Sequence, residues 1–374
     1  KELIDQARAA GIRIIGPNTM GICNPHINFY CTGTHVRPKP GSTSVVAQSG
    51  NMGNQLLAFA ELQGIGIRGF CGSGNEGMIT IEDYLDGFEV DPLTDTVMLY
   101  IESVKNGRRF FESARRVGKK KPVILLKGGQ TKAGSKAASS HTGAFSSDSR
   151  VFNAVCNQAG IVKVEKPMQL LDLSAAFSSL PLPKGKRVAI MTLGGGWGVV
   201  AADLCEAYGL EIPDLSEEMI KQMDEILPPY WSRANPIDLV GENDMSIPMT
   251  TMEALMKWDG CDAIINLGIV GRRHLASRMA DSVRKADPTC PEDFLDQMNK
   301  MLDDFEEQYI HKIVSMMSEY QKPVLGVSML KDDKDLTVTN VKGFRYKGVF
   351  FPTPEQAVIS LSKMYEYYNF ISRK

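Results

Sequence analysis

Short apolar runs alternate with helix-length amphipathic segments along most of this chain, and this alternation most constrains how it can fold. In the first half, the apolar runs span residues 44–47, 67–70, 96–101, 122–127 and 161–164. Predicted helices separate them, over residues 50–64, 81–88, 108–117 and 145–158. Strands that are apolar throughout are typical of a parallel sheet covered on both faces, with helices as the crossovers. The pattern predicts an α/β fold built on a doubly wound parallel sheet.

A second unit of the same kind follows a proline-rich link at residues 180–185. Strands are predicted over residues 187–193, 261–267, 323–327 and 349–351, and helices over residues 199–208 and 353–368. The charged stretch 291–320 predicts one or two amphipathic helices. Its acidic run is predicted to be a solvated face rather than a metal site: Asp303, Asp304, Glu306 and Glu307.

The chain opens on Lys1 rather than on methionine. A helix is predicted over residues 2–10 and a short strand over residues 13–15, followed by a Gly-Pro-Asn turn. One helix and one strand correspond to the tail of an α/β domain, so we expect most of an upstream domain to be missing. A length of 374 residues predicts two or three domains. We expect the divisions 1–40, 41–183 and 184–374.

The composition excludes several classes of protein. The formal charge is −2, from 42 basic and 44 acidic residues, which argues against a dedicated nucleic-acid binder. No stretch approaches 18 consecutive apolar residues, which argues against a membrane span, and no signal peptide is recognisable. The seven cysteines are scattered without a CxxC pair, as is typical of reduced thiols rather than disulfides or structural zinc. We therefore expect a cytoplasmic protein.

The first candidate site is the segment Ala47–Gly53 (AQSGNMG), where a predicted strand leads into a predicted helix. A helix N-terminus presents unpaired N–H groups and a partial positive charge, and small residues let an anion approach the backbone. One interpretation is a phosphate site. The other is a serine N-cap with glycines that serve only the turn.

The second candidate is His141, near the end of a segment in which eleven of the seventeen residues from 128 to 144 are Gly, Ala or Ser. Such a segment has little apolar surface to pack, so we predict a mobile loop between a strand and a helix. A histidine there is suited to carry a phosphoryl group. The alternative is an ordinary surface histidine.

The third candidate is Glu102, at the carboxyl end of the strongest predicted strand. A carboxylate there can accept a hydrogen bond from one ring nitrogen of a histidine, which leaves the other nitrogen as the nucleophile. The alternative is an exposed charge at a strand end. The glycines of residues 194–198 resemble a dinucleotide fingerprint only weakly, and residues 235–239 are predicted to be a structural turn. P-loop, HExxH and GxSxG motifs are absent from the sequence.

Seven motifs occur in the order of one known family: GPNTMGICNP, VVAQSGNMGNQ, GSGNEG, YIES with GRRF, KKPVILLKGGQT, AASSHTGA and NPIDL. The chain resembles the α subunit, or α half, of NDP-forming acyl-CoA synthetases of the ADP-forming acetyl-CoA synthetase type, relatives of succinyl-CoA synthetase. The resemblance covers nearly the whole chain. It implies a Rossmann-like CoA-binding domain, of which only the tail is present, followed by two flavodoxin-like (succinyl-CoA synthetase-like) domains.

The resemblance also implies a phosphoryl relay. Acyl-CoA and phosphate give an acyl phosphate and CoA, the acyl phosphate phosphorylates His141, and the phosphohistidine is carried to an NDP. Glu102 matches the glutamate that orients the histidine. The matching phosphate-binding residues are Gln48, Ser49, Gly50, Asn51, Thr142 and Gly143. Pro17 and Asn18 match a loop that borders the acyl phosphate.

The implied substrates of the complete enzyme are CoA and NDP or NTP with Mg²⁺, besides acyl-CoA and phosphate. The implied partner is an ATP-grasp β subunit or fused segment. We expect an oligomer, and neither a metal bound to this chain, nor nucleic acid, nor a membrane. Trp197 stands where the family pattern has proline, and the missing CoA domain weakens the case for CoA binding by this chain. The alternatives are a non-catalytic CoA- or acyl-phosphate-binding regulatory module, or an unrelated flavodoxin-like binding protein.

Overall fold

The structure is a computed structural model that describes residues 2–134, 136, 149–241, 244–287, 289–328, 330 and 335–373. The chain divides into two compact units. The first consists of Lys1–Ser178 with Asn369–Lys374, and the second of Ser179–Tyr368. Among the described residues, no helix is both long and apolar enough to span a bilayer.

The first unit contains a seven-stranded sheet. Its strands are β1 (Gly21–Asn24), β2 (Phe29–Thr32), β3 (Pro40–Ala47), β4 (Ile67–Gly72), β5 (Thr96–Ile101), β6 (Val123–Lys127) and β7 (Ile161–Val164). The described helices are α1 (Glu2–Ala9), α2 (Gly50–Leu62), α3 (Ile81–Val90), α4 (Gly107–Gly118), α5 (Ser149–Ala159) and α6 (Pro167–Phe177).

The strand order is β2-β1-β4-β3-β5-β6-β7. Strands β3 to β7 are parallel to one another. Numbered along the chain, these five strands have the order 2-1-3-4-5, which is that of a flavodoxin-like doubly wound sheet. The predicted fold class is therefore confirmed for the parallel part of the sheet.

The edge of this sheet differs from the prediction. The antiparallel hairpin of β1 and β2 joins it beside β4, with Cys23 opposite Phe70. Residues 13–15, predicted as a strand, have no strand pairing, because β1 occupies the edge of β4. The sequence did not predict this hairpin, because its strands have four residues each and are only partly buried. Helix α6, which was also not predicted, is buried over most of its length.

The core of the first unit lies between its parallel strands and the helices that cover them. Val46, Leu99 and Leu125, from three adjacent strands, are fully buried together with Phe110 of α4. The sheet needs this cover because a buried strand is apolar on both faces. The predicted helix over residues 145–158 is described from Ser149, where α5 begins; residues 145–148 lie outside the described residues.

The second unit contains a six-stranded sheet. Its strands are β8 (Val188–Thr192), β9 (Ile237–Asp238), β10 (Ala263–Leu267), β11 (Val324–Val327), β12 (Val338–Thr339) and β13 (Gly348–Phe351). The described helices are α7 (Gly195–Ala207), α8 (Glu217–Asp224), α9 (Ser246–Lys257), α10 (Arg272–Ala286), α11 (Glu292–Tyr320) and α12 (Pro354–Ser372). The strand order is β12-β13-β11-β10-β8-β9, with β12 antiparallel and the others parallel. The parallel strands again have the order 2-1-3-4-5.

Helix α11 confirms the prediction for residues 291–320, but one residue of its acidic run is not solvated. Asp303, Asp304 and Glu307 are exposed, whereas Glu306 is buried. The Glu306 carboxylate accepts the backbone N–H groups of Gly271, at 2.8 Å, and Arg273, at 3.2 Å. These groups lie at the N-terminus of α10, where a carboxylate satisfies unpaired donors. The partner was not visible in the sequence because it comes from another helix.

Candidate functional site

The candidate site lies at the carboxyl ends of β4, β3, β5 and β6, which are neighbours in the sheet in that order. Each strand is followed by a polar or glycine-rich segment: residues 73–77 after β4, Gln48 after β3, Glu102 after β5, and residues 128–130 after β6. In an open α/β sheet, ligands bind outside these carboxyl ends. The fold therefore brings together predicted site residues that are far apart in the sequence.

Gln48 connects three of these strand ends. Its Oε1 accepts the backbone N–H groups of Glu102, at 2.5 Å, and Ser103, at 2.9 Å. Its Nε2 donates to the carbonyl of Ser103 and to Oε1 of Glu76, both at 2.9 Å. The backbone N–H of Gln48 donates to the carbonyl of Tyr100. A glutamine amide has two donor hydrogens and two main acceptor positions, so these bonds use the whole side chain.

Glu76 is a site residue that the sequence analysis missed. It is 3% exposed, and its Oε1 also accepts the Ser73 hydroxyl, at 2.9 Å. Burial raises the pKa of Glu76, although the hydrogen bonds from Gln48 and Ser73 lower it. The sequence signal that could have identified Glu76 was its place in the GSGNEG motif, which begins at the end of β4. In the structure its φ is +50°, which is rare for a residue with a side chain.

Glu102 begins the segment after β5, as predicted. The Tyr100 hydroxyl donates to its Oε1, at 3.3 Å. Burial raises the pKa of Tyr100 to about 12, and the charge of Glu102 adds to that rise. A Cβ atom at Gly128 would lie 3.3 Å from Cγ of Glu102 and 2.9 Å from the Tyr100 hydroxyl. Glycine at position 128 therefore leaves room for the Glu102 side chain beside the next strand.

Lys127, the last residue of β6, is buried, with 7% of its surface exposed. Its Nζ donates to the carbonyl of Glu102, at 2.7 Å, and to that of Gly128, at 2.6 Å. Burial lowers the pKa of Lys127, while the charge of Glu102 raises it. A buried ammonium group is costly unless its hydrogens find acceptors, and here both acceptors are backbone carbonyls.

Helix α2 begins at Gly50, with Ser49 as its N-cap. The Ser49 hydroxyl accepts the N–H of Met52, at 3.4 Å. This bond confirms that Ser49 is the N-cap of α2. It does not decide between the two interpretations, because a helix start has further unpaired N–H groups that can bind an anion. A Cβ atom at Gly53 would lie 2.7 Å from the ring of Phe70. Glycine at that position lets the start of α2 lie close to the sheet.

The turn that contains Pro17 and Asn18 lies against the loop after β4. The N–H of Asn75 donates to the Pro17 carbonyl, at 2.9 Å, and the N–H of Gly77 donates to the Gly16 carbonyl, at 2.7 Å. A Cβ atom at Gly74 would lie 2.4 Å from the Pro17 carbonyl oxygen. The turn is thus fixed beside the loop that carries Glu76.

His141, Thr142 and Gly143 lie outside the described residues. Their roles stay predictions, and so does the mobility of the loop that contains them.

In the second unit, the glycine turn and the segment at residues 235–239 lie together. Gly195 begins α7, and a Cβ atom there would lie 2.9 Å from Oδ2 of Asp238. Residues 237–238 were predicted as part of a turn but form the short strand β9, which pairs with β8. Asn235 holds this segment, because its side chain bonds to the N–H of Ile190 and the carbonyl of Val188.

Two family models match the chain. A succinyl-CoA ligase like flavodoxin domain matches residues 40–177, and a ligase-CoA domain matches residues 188–282. The chain therefore contains a succinyl-CoA ligase like flavodoxin domain followed by a ligase-CoA domain. The first match lies in the first doubly wound α/β unit and the second match in the second unit.

Two known proteins are similar to this chain in sequence. The chain is 36% identical over 270 residues to the acetate–CoA ligase (ADP-forming) II subunit alpha of Pyrococcus furiosus. This match covers 72% of this chain and 59% of that protein. It is 39% identical over 236 residues to the acetate–CoA ligase (ADP-forming) of Methanocaldococcus jannaschii. This match covers 63% of this chain and 33% of that protein. The chain therefore spans between a third and three-fifths of these two relatives.

Among solved structures, the chain is similar to the dinucleotide forming acetyl-coenzyme A synthetase 1 of Ca. Korarchaeum cryptofilum in complex with phosphate and ADP. The TM-score is 0.78 at 25% identity, and the match covers 99% of this chain and 74% of that one.

Proposed function

We propose that this chain is the α part of an NDP-forming acyl-CoA synthetase, which interconverts acyl-CoA, phosphate and NDP with a carboxylic acid, CoA and NTP. The observation that carries the proposal is the arrangement at one sheet edge: Glu102, held by Gln48, follows β5 beside the strand that leads into α2. The two family domains and the relatives named as ADP-forming acetate–CoA ligases support the same activity.

In the proposed reaction, phosphate attacks the acyl-CoA carbonyl carbon, and CoA leaves as its thiol to give an acyl phosphate. A ring nitrogen of His141 then attacks phosphorus. The N–P bond forms as the P–O bond to the acyl group breaks, and the carboxylate leaves. The other ring nitrogen keeps its proton and donates it in a hydrogen bond to Glu102, which stabilises the imidazolium charge. Transfer of the phosphoryl group to NDP restores the neutral histidine.

Within this proposal the predicted phosphate-binding residues have two roles. Gln48 holds the backbone of Glu102 and Ser103, because its amide is fully used inside the chain. The start of α2, with Ser49, Gly50 and Asn51, offers N–H groups to the phosphoryl oxygens. Thr142 and Gly143 would bind the same group from the histidine loop.

The remaining parts of the proposal concern the acyl group, the nucleotide and the domains. Pro17 and Asn18 border the acyl phosphate from the turn that lies against the loop after β4. An ATP-grasp partner binds the NDP or NTP with Mg²⁺. Residues 41–183 and 184–374 are the two flavodoxin-like domains.

The test is phosphorylation of His141. The chain, combined with an ATP-grasp partner subunit, is incubated with γ-³²P-labelled ATP and Mg²⁺. We expect label that is labile to acid and stable to alkali, as for a phosphohistidine. His141→Ala should abolish it, whereas His35→Ala, at an exposed histidine, should leave it unchanged. Label that persists in His141→Ala would refute the relay, and an unlabelled wild type would favour a non-catalytic binding module.

A second measurement tests Glu102. Glu102→Gln should slow labelling on the order of 100-fold, a typical loss when one group that stabilises the charge of the transition state is removed. The matched control is Glu165→Gln, because Glu165 also directly follows a strand of this sheet and is exposed. Equal labelling rates in the two variants would remove Glu102 from the site.

A further inference from the structure

We infer that Lys127 is a positioning residue for phosphoryl transfer, because it holds Glu102 and the base of the histidine loop in one place. The inference rests on the proposed function. Lys127 is the last residue of β6, and its Nζ bonds to two carbonyl groups, those of Glu102 and Gly128. Gly128 is the first residue of the small-residue segment that leads to His141. One ammonium group therefore joins the two backbone segments that the reaction brings together.

The burial of Lys127 makes this contact specific. Its Nζ lies 5.9 Å from the ring centre of Phe152, so a ring face rather than open solvent borders one side. A lysine ammonium in such a place depends on its acceptors, since an unpaired buried charge is strongly unfavourable. Its bonds of 2.6 and 2.7 Å have the short length of charge-assisted hydrogen bonds.

Lys127 and Gln48 hold the same residue from two directions. Gln48 accepts the N–H of Glu102, and Lys127 donates to its carbonyl group. Both polar backbone groups of Glu102 are therefore bonded to side chains from the strands on either side of β5. The backbone of Glu102, from which the carboxylate extends, can therefore move little unless one of these two bonds breaks. Glu76 supports the first bond, because it accepts a hydrogen of the Gln48 amide.

The test replaces Lys127 by methionine, which keeps the unbranched apolar part of the side chain and removes the ammonium group with its donors. Labelling of His141 should slow roughly 10- to 100-fold, since a misplacement of about 1 Å can cost a factor of this order. The matched control is Lys121→Met. Lys121 precedes the same strand, and its Nζ also donates to two backbone carbonyls, those of Phe88 and Asp91. This control should label at the wild-type rate.

A double-mutant cycle separates positioning from a general structural effect. If Lys127 acts through Glu102, adding Lys127→Met to Glu102→Gln should slow labelling by less than about 3-fold. If Lys127→Met slowed labelling as much in the Glu102→Gln background as in the wild type, the inference would be overturned. It would also be overturned if the Lys127→Met variant were labelled at the wild-type rate.

If Lys127→Met fails to fold, Lys127→Gln provides the same comparison, because glutamine keeps a donor without the charge. We expect Lys127→Gln to be labelled more slowly than the wild type. A labelling rate equal to that of the wild type would overturn the requirement for the ammonium group. An unlabelled wild-type protein would instead refute the proposed function itself, which distinguishes the two failures.

Discussion

Replacing Gln48 by glutamate tests the hydrogen-bond arrangement of the site with a change of one atom. In the variant, a carboxylate oxygen takes the place of Nε2, which lies 2.9 Å from Oε1 of Glu76 and 2.9 Å from the Ser103 carbonyl. Both attractive contacts become contacts between acceptors. The residues around them stay the same, so the change isolates the electrostatic term.

The magnitude follows from this distance. Two unit charges 2.9 Å apart repel by about 6 kcal/mol at an effective dielectric constant of about 20. The folded variant can avoid this repulsion by binding one proton at residue 48, which costs less free energy. Keeping a glutamate protonated at pH 7, against an unfolded-state pKa of about 4.3, costs about 4 kcal/mol, and at pH 5 about 1 kcal/mol. The protonated acid then donates to Glu76 as the amide does, but its single hydrogen leaves the Ser103 carbonyl without the donor that the amide supplied.

The sign of the pH dependence follows from the raised pKa of residue 48 in the folded variant. Below about pH 4.3 residue 48 is protonated in both the folded and the unfolded state, and the variant should then differ from the wild type in stability mainly by the lost hydrogen bond to the Ser103 carbonyl. As the pH rises, the folded state must hold a proton that the unfolded state releases. The free energy of unfolding should therefore fall relative to wild type by about 1.4 kcal/mol per pH unit.

The assay is hydrogen exchange read by mass spectrometry on peptides that cover β3 and β5, at pH 5, 6 and 7. Tryptophan fluorescence would not serve, because all three tryptophans lie in the second unit. The control is Gln55→Glu, at an exposed position of α2. A difference between Gln48→Glu and wild type that is independent of pH would show that Glu76 carries no charge beside residue 48, and the reasoning would be wrong.

Three substitutions test the packing that supports the site. Gly53→Ala should destabilise the first unit by about 1–3 kcal/mol, because its Cβ would lie 2.7 Å from the Phe70 ring. Gly87→Ala, in an exposed helical position with no atom within 4 Å of the new Cβ, should instead stabilise it by about 0.5–1 kcal/mol. Hydrogen exchange measures the stability change of both variants. If the two variants changed stability in the same direction, the packing argument would be wrong. Asn235→Ala leaves three backbone groups without their side-chain partner and should cost the second unit about 2–4 kcal/mol. Urea unfolding followed by tryptophan fluorescence measures this, and an unchanged midpoint would contradict it.

Local patterns in the sequence were sufficient where one element decides the outcome. Strands β5 and β7 have the predicted limits, residues 96–101 and 161–164, because a continuous apolar run between turn residues can satisfy its backbone only inside a sheet. The start of α2 after Ser49 followed from the N-cap preference of serine. The place of Glu102 at the end of β5 followed from the strand limit.

The roles of Gln48, Glu76 and Lys127 required the tertiary structure. Each depends on a partner from another strand, and strand order is a choice among distant segments that no local pattern encodes. The same is true of Glu306: the other three residues of its acidic run are exposed, whereas its own partners lie at the start of α10. The sequence by itself thus determined the elements and placed polar residues at their ends. Only the order of the strands decided which of those residues meet, because a buried polar group takes its role from the groups that satisfy its hydrogen bonds.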